Sequence, residues 1–421
     1  SNFFEEHKLF ASSQHGFRTK RSTTSALIDM HSSWTNALDT NKSAAVLSFD
    51  LSSAFDSVDA EILCTKLEII GFDIQSVKWI KSDLTNRSQF IQIGNNISRT
   101  LIIARGSPQG SVLSPVLFII FISDIYDWTE CAKMTSFADD YSATVIDSTL
   151  QGTLDKLEHD AKNILCFMAS NCLFANESKT TFMIFSRKES NPPISIKVGN
   201  SNILEARKQK LLGVTFTPDL KWKEHIDTLT EKLRHRIYLL RHLSQLIPRT
   251  ALKIVADGLV TSHIQYGLPL FCRIRLSDLD PKHSEQEKIQ VIHNQMIRTL
   301  HSLNIKDKIN MRSIRSSYNI QSINQMACKS TIMELRKSMF QNTLPHTLSV
   351  IRETCIPDVR TRSHSQNLLR PPICHLSSMA SFSHKATKIW NIIPTDLRSP
   401  LLSDSSMKAK LKVWFKEANI P

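Results

Sequence analysis

The sequence predicts an α+β fold, and three patterns carry that prediction. Ala44-Ala45-Val46-Leu47-Ser48-Phe49 is a short apolar run that stops at Asp50, as a buried strand does. Asp139-Asp140 stand between two short β-prone runs, the place of a tight hairpin turn. Further on, Trp222, Ile226, Leu229, Leu233, Ile237, Leu240, Leu243 and Ile247 recur at spacings of three and four. They draw one apolar stripe along a helix of about 40 Å.

Each element then follows in chain order. A helical pattern from Ser22 to Leu38 leads into the strand that ends at Asp50. Asp59-Ala60-Glu61 opens a helix that stops at Gly71, with an acid near the start and a glycine past the end. Ser88–Gly94 and Ile97–Ala104 flank Asn95-Asn96, a hairpin signal. Gly106 and Gly110 bracket a Pro108-Gln109 turn, and the helix-like stretch Val116 to Ile122 follows. A long helix is expected from about Ser148 to Leu173, and a strand over Thr181 to Phe185. The first part ends near residue 218, the striped helix and a second one after Pro248 fill 219–304, and residues 305–421 read as less regular. Pro345, Pro357 and Pro371-Pro372 are the reason for that last reading.

Composition bounds the class. With 421 residues, 41% hydrophobic and 22% charged, the chain should fold as two to four subdomains. No apolar run approaches the roughly 20 residues that span a bilayer; Val112 to Ile122 is short and holds Ser114 and Pro115. The acidic start through Glu5-Glu6 does not read as a secretory leader. Eight cysteines without a C-x-x-C pair suggest reduced thiols in an intracellular protein, and Cys374-His375 has no matching half nearby for a metal site. The net charge of +13 is uneven, −3 over residues 1–220 and +16 beyond. A basic second half suits phosphate binding; a merely solvated basic face is the alternative.

Asp50, Asp139 and Asp140 are the candidate chemistry. Three carboxylates meeting at adjacent strand ends would hold Mg²⁺ loosely, leaving positions for water and phosphate oxygens. Two such ions about 3.5–4 Å apart suit nucleotidyl transfer. The competing reading is that each Asp caps neighbouring backbone N–H groups. Gly106 and Gly110 weigh against pure coincidence, because the chain has only 10 glycines and two sit in one turn where bare backbone can approach a ligand.

The order of these pieces resembles the reverse transcriptase of a non-LTR, LINE-type retrotransposon of the Jockey kind. Gln14-His15-Gly16-Phe17-Arg18 with Arg21-Ser22-Thr23 resembles a fingers motif, and Asp50 to Asp56 the first catalytic motif. Ser107 to Leu113 resembles the motif lining template and nucleotide, and Phe137 to Asp140 the second catalytic motif. Asn176 with Lys179-Thr180 matches a palm motif after a long helix. Leu211-Leu212-Gly213-Val214 with Leu220-Lys221-Trp222 and His225 matches the primer-grip region. Ile389-Trp390-Asn391-Ile392-Ile393-Pro394 resembles a segment downstream of the polymerase.

The resemblance implies a right-hand polymerase: fingers remnant and palm over 1–218 with a small antiparallel sheet, helical thumb over 219–304, and a basic, mostly helical or irregular C-terminal region over 305–421. It implies RNA-directed DNA synthesis with two Mg²⁺ ions, or Mn²⁺ in their place, on an RNA template with a DNA primer or target and dNTP, and no membrane. Asp50, Asp139 and Asp140, helped by the Leu51 carbonyl, would hold metal, while Asp56 would brace its turn. Phe55 resembles the steric gate beneath the incoming sugar, with a core aromatic as the alternative. Gln109, Gly110 and Lys179 resemble nucleotide-side residues, and Arg18, Leu212, Gly213, Trp222, Arg234 and Arg236 face template or primer. The protein would assemble with RNA in the cytoplasm and act in the nucleus at integration. The family's Arg-Pro-Ile-Ser fingers segment and its endonuclease are expected upstream of Ser1, so the chain reads as a piece of a longer frame. A truncated, inactive copy that only binds nucleic acid is the alternative function.

Overall fold

The computed structural model describes residues 2–7, 9–51, 54–176, 179–186, 193–281, 283–304, 307–341, 369 and 381–421. The chain divides into two compact units, residues 1–22 with 42–207 and residues 23–41 with 208–421. In chain order the elements are α1 (Asn2–Glu6), α2 (Thr23–Asp39), β1 (Ser43–Asp50), α3 (Ala60–Ile70), α4 (Ile74–Leu84), β2 (Arg87–Gln89), β3 (Gln92–Ile93), β4 (Asn96–Ile97), β5 (Leu101–Ile103), α5 (Ser114–Phe121), β6 (Lys133–Phe137), β7 (Asp140–Asp147), α6 (Leu150–Ser170) and β8 (Thr181–Phe185). They continue as β9 (Ser195–Val198), β10 (Ser201–Leu204), β11 (Gln209–Leu211), β12 (Val214–Phe216), α7 (Lys223–Leu243), α8 (Arg249–Ala256), α9 (Ser262–Gln265), α10 (Leu268–Phe271), α11 (Ser284–Leu300), α12 (Met311–Ser317), α13 (Ile323–Gln341), α14 (Phe382–Trp390) and α15 (Asp404–Glu417). The architecture is α+β, as expected.

The first unit is built on an antiparallel sheet of order β6-β7-β1-β8. Its central strand is β1, whose Ala44, Ala45, Val46 and Leu47 are all fully buried, which explains an apolar run without alternation. Helix α6 packs on β1 and β7 through Leu157, Ala161 and Ile164. Its buried Asp160 turns back to accept the N–H groups of Glu130, Cys131 and Ala132, fixing the entry to β6. Asp59 caps α3 by accepting from the N–H groups of Glu61 and Ile62, and Gly71 ends it at φ +98°.

Two details correct the sequence reading. The hairpin turns at Gly94-Asn95, one residue earlier than Asn95-Asn96, since Gly94 takes the left-handed φ of +59° without strain. Helix α4 was not expected, although Asp73 caps it through Gln75 and Ser76; its Ile74 and Trp79 face solvent and break the apolar period.

In the second unit, Ile226, Leu229, Leu233, Ile237 and Leu240 of α7 are buried against α11 and its neighbours, so the stripe is core. The helix stops at Leu243, with residues 244–247 in a turn before Pro248. The described parts of 307–421 are mostly helical, and α14 buries Phe382, Ala386, Ile389 and Trp390 completely. Pro345, Pro357, Pro371-Pro372 and Cys374-His375 lie outside the described residues. Buried Lys385 donates to the carbonyls of Pro269 (2.6 Å), Leu270 (2.9 Å) and Cys272 (2.9 Å), closing the C-terminal end of α10. Burial pushes its pKa down to about 7, and as an ammonium it offers one N–H to each of the three carbonyls. Among the described residues no helix is long and apolar enough to cross a membrane, and the six described cysteines are free thiols.

Candidate active site

The register of the central sheet sets the carboxylates. Asp50, last in β1, pairs with Asp140, first in β7, and Phe137 of β6 also faces Asp140 across the hairpin. Ala138 and Asp139 are the two turn residues between β6 and β7, with Ala138 at φ +58°. Three acids from two distant segments therefore sit at one end of the sheet. Their nearness is felt electrostatically: the Asp140 carboxyl is raised, first by desolvation and then by the charges of Asp139 and Asp50, with Lys179 pulling the other way.

Lys179 completes the cluster. Its Nζ lies 2.9 Å from Asp50 Oδ2, and its backbone belongs to a turn hung from Asn176, whose N–H donates to the Asp50 carbonyl at 2.8 Å. Leu51 is buried and bridges to Ala175. Among the described residues no three Asp, Glu, His or Cys side chains stand close enough to grip one ion. The ammonium of Lys179 sits on Asp50. The donor set nevertheless fits a hard divalent ion, being all oxygen and electrostatically crowded.

The glycine turn is strapped to the chain after β1. Gly106 N–H donates to the Val58 carbonyl at 2.8 Å and Ser107 N–H to the Phe55 carbonyl at 2.9 Å. A Cβ on Gly106, at φ +94°, would lie 2.8 Å from Asp56 Cα, so only glycine fits. Gln109 Nε2 donates to Asp56 Oδ1 at 3.0 Å, which gives Asp56 the bracing role expected of it. Gly110 is exposed, with open space around it. The half-buried Phe55 ring stacks on Phe118 at 4.6 Å and meets the exposed Phe17 edge-on at 6.1 Å.

Arg18 is corrected by its surroundings. Its guanidinium bonds Glu5 at 2.9 and 2.6 Å and the Ala11 carbonyl at 2.6 Å, and only 7% of its side chain is exposed. Buried and committed to these partners, the guanidinium faces inward, so Arg18 is a brace. Its partner Glu5 is held below the usual carboxylate range by that hydrogen bond.

In the second unit, Leu212 (φ +43°) and Gly213 (φ +81°) form the β11–β12 turn, and Tyr266 Oη donates to the Leu212 carbonyl at 2.5 Å. Trp222 lies in an aromatic cluster with His31, Phe216 and Phe271. Arg234 is exposed on α7, whereas Arg236 donates to the Leu259 carbonyl and contacts the His263 ring, a second correction. Sequence reasoning missed the role of Gln14–Gly16, which runs beside β6 and touches the Ala138 turn. The signal was a glycine in a chain that spends very few.

Residues 1–216 match the family model described as reverse transcriptase (RNA-dependent DNA polymerase). The chain is 25% identical over 315 residues to the probable RNA-directed DNA polymerase from transposon BS of Drosophila melanogaster, over 71% of this chain and 33% of that protein. It is 28% identical over 283 residues to the RNA-directed DNA polymerase from mobile element jockey of the same species, over 61% of this chain and 29% of that protein. The chain thus spans about a third of the length of these relatives. A solved telomerase from Candida albicans, in complex with a TWJ fragment of telomeric RNA, is 13% identical with a TM-score of 0.42 over 86% of this chain and 56% of that one, a likeness too loose to bear on chemistry. With half its length inside that family model and Jockey-like polymerases as its curated relatives, the chain belongs to the reverse transcriptase family, among those of LINE-type mobile elements.

Proposed function

We propose that the chain performs RNA-directed DNA synthesis, adding a deoxynucleotide to a DNA 3′-hydroxyl on an RNA template. The observation that carries this is the pairing of Asp50 with Asp140 beside Asp139 at one end of a buried sheet. Reverse transcriptases use divalent metal ions. Here Asp50, Asp139 and Asp140 would hold Mg²⁺, with Mn²⁺ able to replace it and the Leu51 carbonyl adjacent. Bound there, the ions neutralise phosphate charge and sharpen the nucleophile.

The chain's own groups do the rest. The 3′-hydroxyl gives up its proton to solvent as its oxygen bonds the α-phosphorus, the bond from that phosphorus to the bridging oxygen breaks, and the pyrophosphate leaves with a proton from Lys179, which exchanges Asp50 for the departing phosphate. Phe55 lies under the sugar with Phe118 behind it, and Gln109 and Gly110 line the nucleotide, Gln109 being steadied by Asp56. The sheet of the first unit serves as palm and the helices from α7 onward as thumb, with Leu212, Gly213, Trp222 and Arg234 toward primer or template. RNA, DNA and dNTP are the partners, met in the cytoplasm for assembly and the nucleus for integration.

Asp139→Asn should abolish Mg²⁺-dependent primer extension, a loss of at least about 10³-fold given that charge stabilisation dominates such steps. RNA binding by filter retention should stay within about twofold. Extension surviving in Asp139→Asn would sink the assignment. A wild-type chain that binds RNA but never extends a primer would establish the non-catalytic function instead.

A further inference from the structure

We propose that Gly16 is a positioning residue for the paired carboxylates, an inference that rests on the polymerase reading above. Residues 13–16 lie along β6, an edge strand of the sheet, and cover it. His15 N–H donates to the Ser136 carbonyl at 2.8 Å and Ser136 N–H to the Ser13 carbonyl at 3.1 Å. The chain then reaches the hairpin turn at Gly16, whose N–H is held by Gln14 Oε1 at 2.7 Å.

The contact is tight. A Cβ on Gly16 would stand 2.1 Å from the Ala138 nitrogen and 2.9 Å from its Cα. No side chain can occupy that space, so the Gly16 backbone lies directly against the Ala138 backbone. Ala138 in turn adopts φ +58°, a conformation that an alanine leaves unless its surroundings fix it. Asp139 and Asp140 are the next two residues, so the Ala138 dihedral aims both. Gly16 and the buried Gln14 clamp thus act on the carboxylates through one strained residue, as outer groups act on metal ligands.

The test uses the full chain and Mn²⁺ as the probe, with free ion followed by paramagnetic resonance and folding by thermal melting. Gly16→Ala should weaken Mn²⁺ binding about 10-fold, in the range seen when such supporting groups are removed. Its primer-extension kcat should fall while the KM for template–primer holds. Gly71→Ala is the control: Gly71 also has positive φ, +98°, yet nothing lies within 4 Å of its Cβ position, so it costs stability without touching the turn. It should melt lower and bind Mn²⁺ normally. Wild-type affinity in Gly16→Ala, or an equal loss in Gly71→Ala, overturns the proposal. If Gly16→Ala does not fold, Gln14→Leu takes its place, and unchanged Mn²⁺ affinity there overturns it. Asp139→Asn tells the two levels apart: if it binds Mn²⁺ like wild type, the polymerase reading itself fails and this inference with it.

Discussion

Two residues show how far identity alone leads. Phe55 is only half-buried, stacked on Phe118 and met edge-on by Phe17, at the rim of the core and not inside it. Phe55→Val should raise ribonucleotide relative to deoxynucleotide incorporation about 10-fold or more, because the 2′-hydroxyl gains space; unchanged selectivity in competitive extension assays would return Phe55 to the core. Arg18 behaves in the opposite way. Its pair with the part-exposed Glu5 predicts that Arg18→Ala destabilises the chain by about 1–2 kcal/mol, because water can reach the carboxylate left behind. Nucleic-acid affinity measured on the folded fraction should hardly move. Glu5 is depressed below its ordinary 4.5, so the pair's contribution is present above that pH and lost on acidification through the folded value. Melting against pH in wild type and Arg18→Ala should therefore converge in acid. Nothing in the sequence says whether an arginine reaches outward or folds back, because the answer lies in a partner thirteen positions away.

At the level of elements, local rules served where local chemistry decides. The Asp59 and Gly71 caps bound α3 as written, and β8 spans Thr181–Phe185 as read, because cap and strand signals are short-range. The Gly94 turn and α4 were misread because the first is a contest between neighbouring turn formers and the second has an exposed apolar side. The meeting of Asp50 with the Asp139-Asp140 turn was read from a strand end and a hairpin signal, whereas the register that pairs Asp50 with Asp140 is a property of the sheet and was not legible. Lys385 illustrates an interaction that no local pattern marks. Lys385→Met should leave three carbonyls without a donor and cost about 3 kcal/mol, read as a lower urea midpoint. An unaltered midpoint would mean that water replaces the ammonium.

For the whole molecule, the uneven charge makes a quantitative demand. If the basic second half holds phosphates, replacing Lys232, Arg234 and Arg241 with Gln together should reduce the log–log salt slope of duplex binding by up to about 0.9 for each phosphate left without its cation. The change should be the same for any sequence, as phosphate-binding cations do not read bases. Arg236→Gln should instead lower the melting temperature and leave the slope alone, its guanidinium being tied to Leu259 and His263. Salt titration of the triple variant beside the single one separates these roles, and a slope equal to wild type in the triple variant would reduce the charge to a solvated surface.

The central position of β1 has one more consequence, for how the protein is made and lost. Its partners arrive late in synthesis: β7 begins about ninety residues after Asp50, and β8 follows beyond a long helix. Until then the strand's apolar residues have no neighbours on either side, a high-contact-order arrangement that folds slowly and leaves the nascent chain dependent on protection from aggregation. Asp50 is made at one end of this stretch and Asp139 and Asp140 at the other, so a deletion or frameshift that costs either strand parts the three carboxylates.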